Sequence, residues 1–112
     1  MKLQIESQAL RLRIDEEELS RLLAGRTLVT LSRFAGAFTM TCTLSLGQGQ
    51  GAMLSGQADV WLVVVPEKDV REHAQRLPTR DGLRYTVGEA EQAMELLFDV
   101  DVRDSARRRK KP

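Results

Sequence analysis

The clearest pattern in the chain is an unbroken alternation over residues 38–46. Phe38, Met40, Cys42, Leu44 and Leu46 fall on one side, and Thr39, Thr41, Thr43 and Ser45 on the other. Side chains of an extended strand project alternately to its two faces, so this segment predicts a strand with one apolar face. Leu3 and Ile5 alternate with polar neighbours, as do Leu10, Leu12 and Ile14. The apolar phase changes from odd to even across Ser7-Gln8-Ala9, and a tight turn or bulge must absorb that slip. Thr27–Arg33 is rich in β-branched residues, and the short connector Ala35-Gly36-Ala37 predicts an antiparallel hairpin with the strand that follows. Val60–Val65 is apolar on both faces, the pattern of a central strand with a helix covering one side. Leu83, Tyr85 and Val87 form a further alternation. Met94, Leu96, Phe98, Val100 and Val102 form a last, long one.

Two segments change to helical spacing. Asp15 stands where its carboxylate can accept from the free N–H groups of a first turn. Glu18, three residues on, can bond back in a capping box. Glu16, Glu17 and Glu18 suit the positive end of the helix dipole. Leu19, Leu22 and Leu23 make one stripe, and Gly25 is placed to end the helix in a left-handed conformation. Pro66 opens the second helix; Val70, His73, Ala74 and Leu77 are its stripe, and Pro78 ends it.

The order is ββαββ, a glycine-rich break over Gly47–Gly51, then βαββ. An offset of 51 residues carries Leu12 to Val63, Ile14 to Val65, Glu16 to Glu67 and Leu19 to Val70. The expected fold is therefore α+β. It is read as a mainly antiparallel curved sheet or open barrel of about seven to eight strands with two helices, built from a repeated strand–helix–strand–strand unit.

Composition divides the chain unevenly. With 42% hydrophobic and 29% charged residues in 112, one folded domain is expected without metal or disulfide support. Residues 103–112 carry a net +5 and residues 1–102 a net −4, although the whole sums to +1. The expectation is a single domain over 1–102 and a basic, disordered tail over 103–112. Cys42 is the only cysteine, which excludes an intrachain disulfide and fits a reducing compartment. The first residues carry no apolar signal region, and no apolar run has the length to span a bilayer. A cytoplasmic protein with no membrane partner is expected.

Candidate chemistry is sparse. His73 is the only histidine and lies on an apolar helical stripe, so a structural role is expected, and zinc centres of the usual Cys/His type are excluded. Cys42 reads as a core thiol. The glycine-rich break lacks the spacing and the strand-to-helix setting of a phosphate-binding loop. Asp99 and Asp101, with Glu95 on the same side, could in principle hold a hard cation, yet cross-strand pairing with arginines accounts for them. No catalytic, cofactor or metal residue is assigned. Arg11, Arg13 and Arg84 are candidate contacts for an anion. In the tail, Arg107, Arg108, Arg109, Lys110 and Lys111 are candidate contacts for nucleic-acid phosphates.

Met1-Lys2-Leu3-Gln4-Ile5, Arg11-Leu12-Arg13-Ile14 and Glu18 resemble a family of short uncharacterised bacterial proteins of unknown function that begin strand–strand–helix. Arg33-Phe34 and Val63-Val64-Val65-Pro66 are similar to that pattern as well, so the likeness spans the first two-thirds of the chain. It implies a bacterial cytoplasmic setting and carries no catalytic residues. The expected role is a non-catalytic binding or assembly protein that self-associates through an open sheet edge. One alternative is nucleic-acid binding through the basic tail. Another is a small-molecule-binding or enzymatic module similar to vicinal-oxygen-chelate folds, whose sites usually carry His and Glu ligands on several strands.

Overall fold

A computed structural model describes residues 1–102; the basic tail expected over 103–112 lies outside the described residues. Its elements run β1 (Lys2–Glu6), β2 (Ala9–Asp15), α1 (Glu16–Leu23), β3 (Leu28–Phe34), β4 (Phe38–Gly47), β5 (Met53–Gln57), β6 (Val60–Pro66), α2 (Glu67–Gln75), β7 (Leu83–Val87) and β8 (Met94–Asp101). A single 3-10 turn, Ala90–Gln92, precedes β8.

The class is α+β with eight strands, but the strands do not form one curved sheet or a barrel. They form two open four-stranded sheets, ordered β1-β2-β8-β7 and β3-β4-β6-β5. Both are mixed. Hairpin partners run antiparallel, while the two central pairs, β2 with β8 and β4 with β6, run parallel. Periodicity predicts strands and their faces. It does not predict which distant strands meet, and the parallel pairs join segments from opposite halves of the chain.

Each half of the chain is a strand–strand–helix–strand–strand unit, one strand longer at its second start than the sequence pattern implied. The additional strand, β5, is exposed at every residue. Within each half the first hairpin enters one sheet and the second hairpin the other. An offset of 51 carries the β1–β2 pair Leu3↔Leu12 onto the β5–β6 pair Leu54↔Val63. In the parallel pairs, Leu12↔Phe98 is matched by Val63↔Leu44.

The core lies between the inner faces of the sheets. Leu10, Leu12 and Ile14 of β2 and Leu96, Phe98 and Val100 of β8 face it from one sheet. Cys42 and Leu44 of β4 and Val63 and Val65 of β6 face it from the other. Both helices close it. Leu19 and Leu22 of α1 are buried, and at the same offset of 51 so are Val70 and His73 of α2.

The ends of α1 follow from its sequence. The Glu18 N–H donates to Asp15 Oδ1 at 2.7 Å, and the Asp15 N–H donates to Glu18 Oε1 at 3.1 Å. These bonds complete the expected capping box. Gly25, at φ +88°, takes the left-handed position just past the C-cap Ala24. Two tethers fix α2. Arg71 Nη2 donates to the Leu23 carbonyl at the end of α1 at 3.0 Å, and the Tyr85 hydroxyl of β7 donates to Asp69 Oδ2 at 2.7 Å. Burial and the neighbouring Asp69 push the Tyr85 hydroxyl well above the usual phenol range.

Candidate functional site

The inner faces meet in the core and open at one end into apolar recesses lined by Ile5, Leu54, Trp61, Phe34 and Phe38. The two outer faces of the sheets are of opposite character. On the β1-β2-β8-β7 sheet, one cross-strand row reads Gln4, Arg11, Leu97, Arg84, and the neighbouring row begins Lys2, Arg13, Asp99. Arg11 donates to Asp99 Oδ2 from Nε at 2.9 Å and from Nη2 at 2.5 Å. Arg13 Nε stands 3.3 Å from Asp99 Oδ1 as an ion pair without hydrogen-bond geometry. Arg84 Nη1 donates to Glu95 Oε1 at 2.6 Å. Arg11 and Arg13 are like charges two apart on the same face of β2, and Asp99 on the adjacent strand offsets their repulsion.

Above this face lies a cleft of about 560 Å³. Arg11 and Leu97 form part of its floor, and Arg80, Asp81 and Gly82 of the connection entering β7 line it together with Arg84. Gly82 sits hard against β8, where a Cβ would meet the Phe98 carbonyl oxygen at 2.6 Å and Asp99 Cβ at 2.9 Å. The connection therefore approaches the strand more closely than a residue with a side chain would allow. Of the arginines singled out from the sequence, Arg11 and Arg84 line this cleft. Arg13 lies instead in a smaller notch with Lys2, Gln4 and Arg11. Arg80 occupies no strand, so strand periodicity assigns it no face. Arg107, Arg108, Arg109, Lys110 and Lys111 lie outside the described residues.

The other sheet turns outward a face with one charge. Its rows read Val29, Thr43, Leu62, Ser55 and Leu31, Thr41, Val60, Gln57. Ser45, Val64 and Met53 form a third, and Arg33 with Thr39 closes the end. Val29 is 63% exposed and Met53 60%, with Leu31, Val60 and Leu62 between 41% and 49%. The helix cover expected over one face of β6 is absent here, since α2 packs on the inner side with Val70 in the core. At the tip of the β3–β4 hairpin the rings of Phe34 and Phe38 stack at 4.6 Å.

His73 is 1% exposed, edge-on to Phe98, and its Nδ1 has no hydrogen-bond partner among the described residues. Burial, reinforced by Arg76 and opposed by Asp99, pushes the imidazole below its usual range. Cys42 is fully buried, and burial raises its thiol. Among the described residues no three His, Cys, Asp or Glu side chains are grouped so as to hold a metal ion. No helix among them is long and apolar enough to cross a membrane.

No protein-family model matches the chain, and no curated protein matches it.

Proposed function

We propose that this protein is a non-catalytic assembly module that pairs with a second copy of itself, face to face, through the outer surface of the β3-β4-β6-β5 sheet. The observation that carries this reading is the composition of that surface. In a chain with 29% charged residues, four adjacent strands turn outward only aliphatic, hydroxyl and amide side chains apart from Arg33. Contiguous exposed apolar patches of this kind mark interaction sites.

A copy of the same chain is the favoured occupant on electrostatic grounds. Residues 1–102 carry a net −4, and almost none of their charge lies on this face. Two copies can approach here with Arg33 as the only charge on each face, and a two-fold axis through the face makes it self-complementary. Strand and residue spacings give roughly 400 Å² of flat sheet for about a dozen outward side chains. Side-chain relief raises that figure toward the ~800 Å² per partner of a standard interface, so a weak dimer is expected. Pairing through a face replaces the edge pairing suggested by the sequence, because the apolar outward positions lie on the face.

Light scattering across a concentration series, from about 1 µM to about 1 mM, tests the reading. The full chain should pass from monomer to dimer. Leu62→Glu, which sets a charge at the centre of the face, should remain monomeric while keeping its fold by circular dichroism. A full chain that stays monomeric throughout would overturn the reading.

A further inference from the structure

We propose that the cleft on the opposite sheet is a second binding site, for a small organic oxyanion with a short aliphatic body. The cleft holds about 560 Å³, within the range of small-molecule sites. Three arginines line it: Arg11 on the floor, Arg84 on β7 and Arg80 on the connection above. Each guanidinium carries five N–H donors and no acceptor. Arg11 spends two on Asp99, Arg84 spends one on Glu95, and Arg80 makes no ion pair or hydrogen bond among the described residues. The cleft is therefore rich in unspent donors arranged for the oxygens of a carboxylate or phosphate.

The three arginines differ in readiness. Asp99 is 14% exposed and also faces Arg13, so Arg11 is held as a fixed part of the floor. The Arg84–Glu95 pair is exposed on both sides, and such pairs are readily given up. Arg80 is free at the start. A ligand oxyanion would thus engage Arg80 and Arg84 and leave Arg11 and Asp99 in place. Leu97, half-buried between Arg11 and Arg84 in the same row, offers an aliphatic floor with Ala9 and sets the preference for an apolar body beside the charge. Glu6 and Asp81 also line the cleft and are as exposed as Arg80 and Arg84, so selectivity for an anion rests on the arginines' N–H donors rather than on net charge. The close approach of Gly82 to β8 holds the connection carrying Arg80 over this floor.

The test is a titration of the full chain, followed by backbone amide NMR, with succinate in one arm and inorganic phosphate in the other. Chloride at matched ionic strength is the control. Saturable shifts confined to residues 80–84 and 97–99, present with succinate and weaker with phosphate, are the expected result. Arg80→Gln should weaken succinate at least tenfold, and the exposed position keeps the spectrum otherwise native. Arg80→Lys should recover part of the affinity. Phosphate binding as tight as succinate would keep the oxyanion site and remove the role of Leu97. Shifts that chloride reproduces, or saturable binding unchanged in Arg80→Gln, would overturn the proposal.

Discussion

The two sheets are built from strands that match in register at an offset of 51, and their outer faces nevertheless differ position by position. Arg11 of β2 corresponds to Leu62 of β6, and Arg13 to Val64, at the same offset of 51. Across the parallel pairs, Asp99 opposite Arg13 corresponds to Ser45 opposite Val64. The inner faces do not differ in this way: Leu12 and Val63, Phe98 and Leu44 are all apolar and buried. The core constrains both halves equally because each buried inner position must fill space and exclude water. The outer faces carry no such constraint, so one is a charged floor beneath a cleft and the other an almost uncharged plane.

Core truncations should give the largest effects and the least difference between sheets. Phe98→Ala should cost about 3–5 kcal/mol and its counterpart Leu44→Ala about 2–5 kcal/mol, read by urea denaturation. A loss confined to one of the two would break the equivalence of the inner faces. Next come the charges of the cleft face. Asp99→Asn leaves Arg11 and Arg13 without their shared carboxylate and should cost about 1–2 kcal/mol, whereas Glu95→Gln, which removes only an exposed pair, should cost less than about 0.5 kcal/mol. Equal costs would mean that Asp99 is no more than a surface charge.

The smallest expected effect separates the helices. His73 of α2 stands where α1 has Leu22, and both are buried. The folded protein holds His73 below its usual value of 6.5. As pH falls below that value the unfolded chain takes up the proton first, so the stability this residue confers is complete above about pH 6.5 and is lost progressively as pH drops. His73→Leu should therefore flatten the dependence of urea midpoint on pH between about 7 and 5. An unchanged slope would show that the imidazole does not titrate between the two states.

Much of this structure was legible wherever a segment carried its own explanation. The alternation of β4 and the Asp15–Glu18 box are local, and both act as their residue types require. The strand β5 was not legible, because Met53, Leu54, Ser55, Gly56 and Gln57 are all exposed and leave no burial pattern. Its turn into β6 depends on Gly56 at φ +108°, where a Cβ would strike the Val60 carbonyl. The sheet pairing was illegible for another reason, since Arg11 and Asp99 are 88 positions apart. Val60 and Leu62 read as covered because an apolar residue does not state what covers it. Arg80 entered the cleft from a connection, where neither period applies.

The exchange of hairpins between the halves has a consequence for how the chain is put together. Each half contributes two strands to a sheet that the other half must finish, and neither owns a complete sheet. Half-made protein on a ribosome would hold two unfinished edges, that of β4 until β6 arrived and that of β2 until β8 did. The same wiring would serve two identical chains of half the length, each finishing the other's sheets, as well as it serves the one continuous chain.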